Sequence, residues 1–343
     1  MNAMVLKEFN TALATDRAAE IPEIGPDEVL IKVKACGICR TDLKIQKGLF
    51  DRRIIQLPHI MGHEFAGIVE RAGDRAEGVA VGERVVAHFY IACGKCRFCK
   101  EGRENLCGHI TRPGFELAGA YAEYVKVPAA NVVPLGDRIS FEEAAVLPDA
   151  VATPYHALRM GELKPEESVL VVGIGGLGIH AIQIAKALGA RVIACDIDEA
   201  RLTIAAGYGA DQVFNARDDA RVKKVQDLTD GYGVDLCLDL VGTPASFAWA
   251  LPSTRGGGRY CLVGYAPNQP LEIDTVLYHV REWNLIGCRA STRQDLVEVV
   301  ELTEKGLIKP VIDRVYALEQ ANEGLRDLED GKILGRGVLQ ADC

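Results

Sequence analysis

The sequence predicts an α/β protein with two domains, in which a parallel β-sheet follows a β-rich region. From Ala3 to about Val151, short apolar stretches are separated by glycine and proline, and Val29–Ala35 alternates between the two faces of a strand. From about Ala152 onward, strands alternate with helical segments, which is typical of a parallel sheet covered by helices. At 343 residues, the chain is also longer than one ordinary hydrophobic core requires.

The predicted elements follow from residue periodicity and from turn residues. The strands are Val29–Ala35, Phe65–Arg71, Arg84–Ala87, Val169–Val172, Arg191–Cys195, Val234–Asp239, Tyr260–Val263 and Asn284–Gly287. The helices are Ile179–Leu188, Glu199–Tyr208, Asp295–Lys305 and Leu318–Asp330. A glycine cluster, Gly256–Gly258, precedes the strand at Tyr260.

The composition is that of a soluble globular protein, with 48% hydrophobic and 25% charged residues. The net charge of −9 is spread without long runs, which argues against a nucleic-acid or membrane partner. The first ten residues lack the pattern of a secretion signal, so we expect a cytoplasmic protein. Eleven irregularly spaced cysteines favour metal ligation in a reducing compartment over disulfides.

The segment from Ser168 to Asp198 carries a G-x-G-x-x-G motif between a buried strand and a helix. Gly173 permits a tight turn, Gly175 lets the backbone approach a pyrophosphate, and Gly178 lets the helix pack closely on the strand. The N-terminus of the helix offers unpaired N–H groups to the phosphates. The motif, completed by Gly176 and Leu177, predicts dinucleotide binding.

The acidic residue that ends the second strand indicates which dinucleotide is bound. Asp196 is expected to accept both adenosine ribose hydroxyls, and its carboxylate would repel the 2′-phosphate of NADP. The next residue, Ile197, is not an arginine, whereas Arg201 follows five residues after Asp196 and belongs to the same site. The sequence therefore favours NAD without excluding NADP.

A lobe of the β-rich domain, residues 93–107, contains four cysteines with the spacing C-x2-C-x2-C-x7-C. Four thiolates with this spacing can surround one zinc ion tetrahedrally and leave no place for water, so we predict a structural site. Free surface thiols and an iron–sulfur cluster are the alternatives. The predicted ligands are Cys93, Cys96, Cys99 and Cys107.

Other metal-binding residue types are scattered: Cys36 and Cys39 in CGICRTD, His63 and Glu64 in GHEFAG, and Asp149 in VLPDAVAT. Each has an ordinary explanation when taken alone. The cysteines could be small buried residues, His63 a hydrogen-bonded core residue, and Asp149 a helix N-cap.

These scattered residues, the cysteine lobe and the glycine motif occur in the order typical of one family. Together they closely resemble the zinc-dependent medium-chain alcohol dehydrogenase family, over essentially the whole chain. The resemblance implies a chaperonin-10-like, β-rich catalytic domain over residues 1–151, which carries the cysteine lobe. A Rossmann domain with a doubly wound parallel sheet is inserted at residues 152–290, and residues 291–343 return to the catalytic domain.

The same resemblance implies that Cys39, His63 and Asp149 bind a catalytic zinc ion, with Glu64 as a nearby acid that can approach the metal. Which of Asp149 and Glu64 is the resting third protein ligand stays open. A thiolate, an imidazole and a carboxylate neutralise Zn²⁺ and leave one position for an alcohol, which then loses its proton as hydride passes to NAD. The expected cofactors are two zinc ions per chain and NAD.

Supporting residues are carried over only where this sequence matches the family. Thr41 resembles the hydroxyl that takes the substrate proton, and Asp42 resembles the acid that orients His63. Arg40 and Arg336 resemble pyrophosphate contacts. Thr153 matches a residue beside the nicotinamide, and Phe89 matches a residue that lines the substrate pocket.

One departure concerns the proton exit, because Lys44 stands where some members have a relay histidine. Lys44, the cofactor ribose or a water chain could carry the proton to solvent.

Two other readings remain: a zinc-free reductase of conjugated double bonds that uses NAD(P)H, and a non-enzymatic nucleotide-binding protein. The substrate is expected to be a small alcohol, aldehyde or ketone, although the sequence does not say which, and the loop Lys47–Ile55 bears on pocket shape.

Apolar residues Leu285–Gly287 lie where relatives pair across a two-fold axis, so we expect a homodimer or homotetramer.

Overall fold

Sixteen strands and eleven α-helices are formed by residues 1–50 and 54–341, the part of the chain that the computed structural model describes. The strands are β1 Ala3–Leu6, β2 Ala14–Asp16, β3 Glu28–Ile38, β4 His59–Ile60, β5 Glu64–Ala72, β6 Arg84–Ala87, β7 Tyr124–Pro128, β8 Val132–Pro134, β9 Ser168–Val172, β10 Arg191–Asp196, β11 Gln212–Asn215, β12 Val234–Asp239, β13 Thr254–Leu262, β14 Asn284–Gly287, β15 Ile312–Ala317 and β16 Arg336–Gln340.

The α-helices are α1 Arg40–Gln46, α2 Arg97–Lys100, α3 Phe141–Ala145, α4 Ala152–Met160, α5 Gly178–Ala187, α6 Glu199–Gly207, α7 Arg221–Asp227, α8 Pro244–Ala250, α9 Thr275–Arg281, α10 Arg293–Glu304 and α11 Ala321–Glu329. Short 3-10 turns occupy Glu104–Leu106, Ala129–Asn131 and Leu318–Gln320, and a π-helical turn occupies Leu147–Val151. The predicted helix Leu318–Asp330 therefore begins as a 3-10 turn. Of the loop Lys47–Ile55, residues 51–53 lie outside the described residues.

One compact unit comprises Thr153–Ser291 and Leu307–Lys309 and contains a six-stranded parallel sheet. Its strand order is β11-β10-β9-β12-β13-β14. Counted from β9, this order is 3-2-1-4-5-6, which is that of a Rossmann sheet. The prediction of a doubly wound parallel sheet is confirmed.

Burial explains why β9 forms at the centre of this sheet. Every residue of Ser168–Val172 is buried, and β9 pairs with β10 on one side and β12 on the other. A run without alternation suits a strand that is covered on both faces. Its carboxyl end leads directly into the glycine turn that begins at Gly173.

The glycine cluster Gly256–Gly258 was predicted to lie before a strand, and this prediction is wrong. The cluster lies inside β13, where Val234 pairs with Thr254 but Leu236 pairs with Arg259. Four residues of β13 therefore face a single residue of β12, and the strand bulges. Glycine suits this position because a bulge includes backbone angles that other residues avoid.

The other unit comprises Met1–Ala152, Thr292–Gly306 and Pro310–Cys343. Its larger sheet has the order β15-β16-β3-β5-β6-β8, with β7 also paired to β3, and β2-β1-β4 form a smaller sheet. The unit divisions fall at Ala152/Thr153 and Ser291/Thr292, and Leu307–Lys309 groups with the Rossmann unit. The amide of Lys309 donates to Gln183 Oε1 at 3.0 Å, which explains that grouping. The functional assignment of the two units as domains stays a prediction.

The register between β3 and β5 positions two of the sequence motifs side by side. Cys36 pairs with Phe65, and Gly37 pairs with Glu64. The approach at Gly37 is very close, because a Cβ there would lie 2.2 Å from Glu64 Oε2. The CGIC motif and the GHE motif thus meet at one end of the strand pair.

Within the described chain, none of the helices combines the length and the apolar character that crossing a lipid bilayer requires.

The Rossmann unit offers a test of close backbone packing. Gly242 and Gly257 both have φ near +66°, but a Cβ on Gly242 would lie 2.0 Å from Gly264 O, whereas a Cβ on Gly257 meets nothing closer than 3.5 Å. Both alanine variants should incur left-handed strain of about 1 kcal/mol, and Gly242→Ala should cost about 1–3 kcal/mol more from overpacking. Thermal unfolding of the two variants measures the difference. Equal melting temperatures would contradict the predicted clash.

Candidate functional site

The N-terminus of α1 fixes Cys39 directly after β3. Cys39 is the N-cap residue, and its Sγ accepts from Thr41 N at 3.5 Å. The amide of Cys39 donates in return to Asp42 Oδ2 at 2.8 Å, completing a capping box. The thiol is buried, and its position is set by the backbone of the helix end.

Four of the predicted metal-site residues come together in this unit: Cys39, His63, Glu64 and Asp149. One ligand atom from each lies within 4.8 Å of all the others. Asp149 Oδ2 is 3.5 Å from Cys39 Sγ and 4.0 Å from His63 Nε2. Asp149 lies in the π-helical turn and not at a helix N-cap, which removes the ordinary explanation for this residue.

Arg336 lies in the same cluster, and its Nη2 donates to Glu64 Oε1 at 2.7 Å and to Asp149 Oδ2 at 3.1 Å. The guanidinium of Arg336 is 3% exposed and lies against these two carboxylates, and the pyrophosphate contact that the family resemblance implies for Arg336 stays a prediction. Burial opposes the charge on Arg336, but the charges of Glu64, Cys39 and Asp149 outweigh burial and raise its pKa. Burial raises the pKa of Glu64 well above its ordinary value, with Arg336 acting in the opposite direction.

The imidazole of His63 faces Asp42, the acid that the family resemblance assigns to orienting it, and that role stays a prediction. His63 Nδ1 lies 3.4 Å from Asp42 Oδ1, slightly longer than a well-formed hydrogen bond. Burial disfavours a positive charge on the ring, but the Asp42 carboxylate outweighs burial and raises the pKa of His63 well above its ordinary value. The local field therefore favours positive charge at this imidazole, whether a proton or a metal ion supplies it.

The donors of this cluster suit a zinc ion. Ligands held tetrahedrally at zinc distances lie about 3.5 Å from one another, close to the 3.5 and 4.0 Å separations from Asp149 Oδ2. Glu64 Oε2 is also buried without a hydrogen-bond partner among the described residues. A thiol, an imidazole and carboxylates form a mixed set that zinc accepts and that calcium and magnesium do not prefer.

The second group, Cys93, Cys96, Cys99 and Cys107, has one sulfur from each residue within 4.8 Å of the others. Cys96 Sγ and Cys99 Sγ are 3.5 Å apart, and Cys93 Sγ and Cys99 Sγ are 4.0 Å apart. A turn at Gly94, with φ near +68°, brings Cys93 back toward Cys96. The predicted spacing thus produces a four-sulfur cluster.

The thiols of this cluster differ in acidity. Backbone N–H groups of Lys95 and Cys96 lower the pKa of Cys93 to about 6. Burial and the adjacent thiols of Cys96 and Cys107 raise the pKa of Cys99 to about 12. Four adjacent sulfurs can all be ionised only when a cation neutralises them, which fits a four-thiolate zinc site.

Two aromatic rings lie against His63. Phe89, the predicted pocket residue, has its ring centroid 5.1 Å from that of His63, and Phe115 lies at 5.2 Å. The Arg112 guanidinium lies over the ring of Phe115, 3.9 Å from its centroid, and pairs with Glu116 at 2.7 Å. Sequence reasoning missed Phe115, because no local pattern places the PGF segment beside a histidine 52 residues earlier.

The glycine turn of the Rossmann unit has the predicted geometry. Gly173 has φ near +92°, and a Cβ on Gly178 would lie 2.0 Å from Gly173 O. Helix α5 begins at Gly178, directly after Gly176 and Leu177. His180 Nδ1 lies 2.6 Å from Gly176 O, which fixes the start of the helix.

Asp196 and Arg201 both contact this turn. Asp196 Oδ2 accepts from Ile174 N at 2.6 Å, and Oδ1 accepts from Ile197 N at 2.7 Å and from Asp198 N at 3.1 Å. The buried Arg201 donates from Nη1 to Ile174 O at 3.1 Å and lies 3.7 Å from Asp198. The carboxylate expected at the ribose is thus held by three backbone amides.

The remaining predicted residues are placed individually. Arg40 is exposed, Thr41 is partly exposed at the start of α1, and Thr153 is buried. Lys44 is half-buried, and burial lowers the pKa of its ammonium group. Their predicted roles stay predictions.

Known proteins resemble the chain along its whole length. The family model "Alcohol dehydrogenase GroES-like domain" matches residues 25–137, and the model "Zinc-binding dehydrogenase" matches residues 176–305. An NAD-dependent alcohol dehydrogenase of Sulfolobus acidocaldarius is 37% identical over 99% of both chains. The crystal structure of an alcohol dehydrogenase from Aeropyrum pernix superposes with a TM-score of 0.93 at 32% identity, covering 99% of this chain and 100% of that one. An acryloyl-coenzyme A reductase of Sulfurisphaera tokodaii is 33% identical over 93% of this chain and 94% of its own.

The chain therefore belongs to the medium-chain alcohol dehydrogenase family, within the medium-chain dehydrogenase/reductase superfamily. It is an oxidoreductase. The predicted combination of a chaperonin-10-like catalytic domain with a Rossmann domain is confirmed.

Proposed function

We propose that this oxidoreductase transfers hydride reversibly between a primary or secondary alcohol and NAD, with zinc at the Cys39 cluster and a second, structural zinc in the cysteine lobe. The observation that carries the proposal is the convergence of Cys39, His63 and Asp149 within one cluster of donor atoms. Zinc supplies a Lewis acid that lowers the pKa of an alcohol, and NAD supplies the hydride acceptor.

The chain's own residues then have distinct tasks. Cys39, His63 and Asp149 hold the metal, Asp42 orients His63, and Thr41 takes the substrate proton. Arg336 holds Glu64 at 2.7 Å and compensates the negative charge of the cluster. The rings of Phe89 and Phe115 exclude water from one side of His63 and offer apolar contact to a substrate.

The glycine turn binds the cofactor pyrophosphate, and Asp196 accepts from the adenosine ribose. Arg201 is paired with Asp198 and bonded to Ile174 O, so its charge is already engaged within the turn. A 2′-phosphate would therefore meet the Asp196 carboxylate with little compensation, which favours NAD over NADP. The other cofactor contacts are assigned by the family match to Arg40, Arg336 and Thr153.

Zinc content tests the metal sites. Elemental analysis of protein purified without chelator should give about two zinc ions per chain, and Asp149→Ala should retain about one, because the catalytic site loses a charged ligand. Cys36→Ala is the matched control, since Cys36 is buried nearby but is not among the clustered donors, and it should retain two. Two zinc ions in Asp149→Ala would instead identify Glu64 or water as the third ligand.

The principal alternative is a zinc-free reductase that adds hydride to a conjugated double bond. The relationship to an acryloyl-coenzyme A reductase keeps this activity in view. One zinc ion per folded parent chain, together with NADPH oxidation by an enoyl thioester and none by aldehydes, would replace the alcohol dehydrogenase proposal with this one. Formation of NADH from an alcohol would exclude a purely nucleotide-binding role.

The proton exit is tested by Lys44→Ala. The half-buried ammonium of Lys44 favours proton loss from nearby groups. Its removal should therefore shift the pH at which kcat rises to a higher value, by about 0.5 unit or more. Zinc content should stay at the parent value. Lys47→Ala is the control, because Lys47 is exposed and pairs with Glu329. A pH profile equal to that of the parent would remove Lys44 from the proton route and leave the ribose or water.

Self-association is proposed at the edge of the Rossmann sheet. β14 is the terminal strand, and an apolar groove of about 120 Å³ beside it is lined by residues that include Leu285 and Ile286. Light scattering should give a dimer or a tetramer, and Ile286→Lys should reduce the mass because it places a charge in the apolar contact. Val81→Lys, at an exposed apolar position of the other unit, should leave it unchanged. A monomeric parent would refute the proposal.

A further inference from the structure

Tyr121 is fully buried, and its ring packs on the residue that precedes His63. A Cβ on Gly62 would lie 2.4 Å from Tyr121 Cδ1, and Tyr121 N donates to Met61 O at 2.9 Å. The backbone pairing and the ring contact therefore fix where the phenol hydroxyl is presented. No sequence motif had assigned a role to this residue.

The Tyr121 hydroxyl donates to Asp42 Oδ2 at 3.0 Å. The same oxygen accepts from Cys39 N at 2.8 Å. Two donors from distant parts of the chain thus hold Oδ2. The other oxygen, Oδ1, lies 3.4 Å from His63 Nδ1 and has no hydrogen-bond partner among the described residues.

Asp42 therefore connects two metal-ligand candidates, Cys39 through its backbone and His63 through its ring. A carboxylate held by Cys39 N alone could rotate about its Cβ–Cγ bond and turn Oδ1 away from the imidazole. With the phenol in place, that rotation would break a buried hydrogen bond and leave the hydroxyl unpaired, which is unfavourable in the interior. Burial, and next the charge of Asp42, raise the pKa of Tyr121 well above its ordinary value, so the hydroxyl remains a donor.

We propose that Tyr121 is a positioning residue of the Cys39–His63–Asp149 metal site: its hydroxyl holds Asp42 so that Oδ1 receives His63 Nδ1–H and directs Nε2 to the metal. This inference rests on the proposed zinc site. Groups that orient a metal-bound histidine through a hydrogen bond typically contribute about 10- to 100-fold to metal affinity.

The test is the metal affinity of Tyr121→Phe, measured by competition with a chromophoric chelator, with the absorption of the Co²⁺-substituted protein as a second readout. Phenylalanine keeps the ring that packs on Gly62 and removes only the hydroxyl. Affinity at the weaker-binding site should fall about 10-fold or more, and the Co²⁺ spectrum should change. The affinity of the four-cysteine site should not change.

Tyr316→Phe is the matched control. Tyr316 is buried in the same unit, and its hydroxyl donates to Asp327 Oδ2 at 3.0 Å, but neither residue belongs to a metal cluster. Both variants should lose similar thermal stability, whereas only Tyr121→Phe should lose metal affinity. A merely structural role for Tyr121 would affect both variants alike.

Asp42→Asn is the second variant and shows whether Tyr121 acts through Asp42. The double variant Tyr121→Phe/Asp42→Asn should bind metal no more weakly than Asp42→Asn alone, because residues in one network are not additive. Additive losses, or a Tyr121→Phe affinity within two-fold of the parent, would overturn the inference. A parent that binds only one metal ion per chain would instead refute the proposed zinc site itself.

Discussion

The antiparallel pairing of β3 with β5 is the constraint on which the metal cluster depends. With Gly37 opposite Glu64, Cys39, which follows β3, lies close to His63 and Glu64, where β5 begins. Successive side chains of a strand point to opposite faces, so a slip of one residue would move Glu64, the donor that lies within β5, to the other face of the sheet. The absence of a side chain at Gly37 permits this register, since Glu64 Oε2 fills the space that a Cβ would need.

Charge compensation explains how so many ionisable groups are tolerated in the interior beside this pairing. Glu64, Asp149 and the Cys39 thiol would together carry several negative charges in a region that water scarcely reaches. Isolated buried charges cost several kcal/mol each, so the cluster needs cations as well as hydrogen bonds. Arg336 supplies one fixed positive charge to Glu64 and Asp149. The remaining demand for positive charge is what a divalent metal ion would meet.

Local sequence patterns predicted the parts of the molecule that local physics determines. The β9 run, the glycine turn and the four-cysteine spacing each have a conformational cause within a few residues, and all were found where predicted. The position of Arg336 and the hydrogen bond of Tyr121 depend instead on partners 272 and 79 residues away. The π-helical turn at Asp149 and the bulge at Gly256–Gly258 likewise arise from packing and register, which periodicity does not encode.

Both candidate sites place the start of a helix after a strand, at α1 directly and at α5 after the glycine turn, and the two helix ends differ in their chemistry. At α1, the side chain of Asp42 turns back to the Cys39 amide, so the helix end is closed and its backbone is used for positioning. At α5, Leu177 makes no side-chain cap, and the turn from Gly173 keeps amides available to an anion. Asp196 accepts from the Ile174 amide and Arg201 donates to the Ile174 carbonyl, so side chains bind the turn itself while the helix end has no side-chain cap. A closed helix end suits a site in which a side chain is the ligand, and an open one suits a site in which the backbone itself binds.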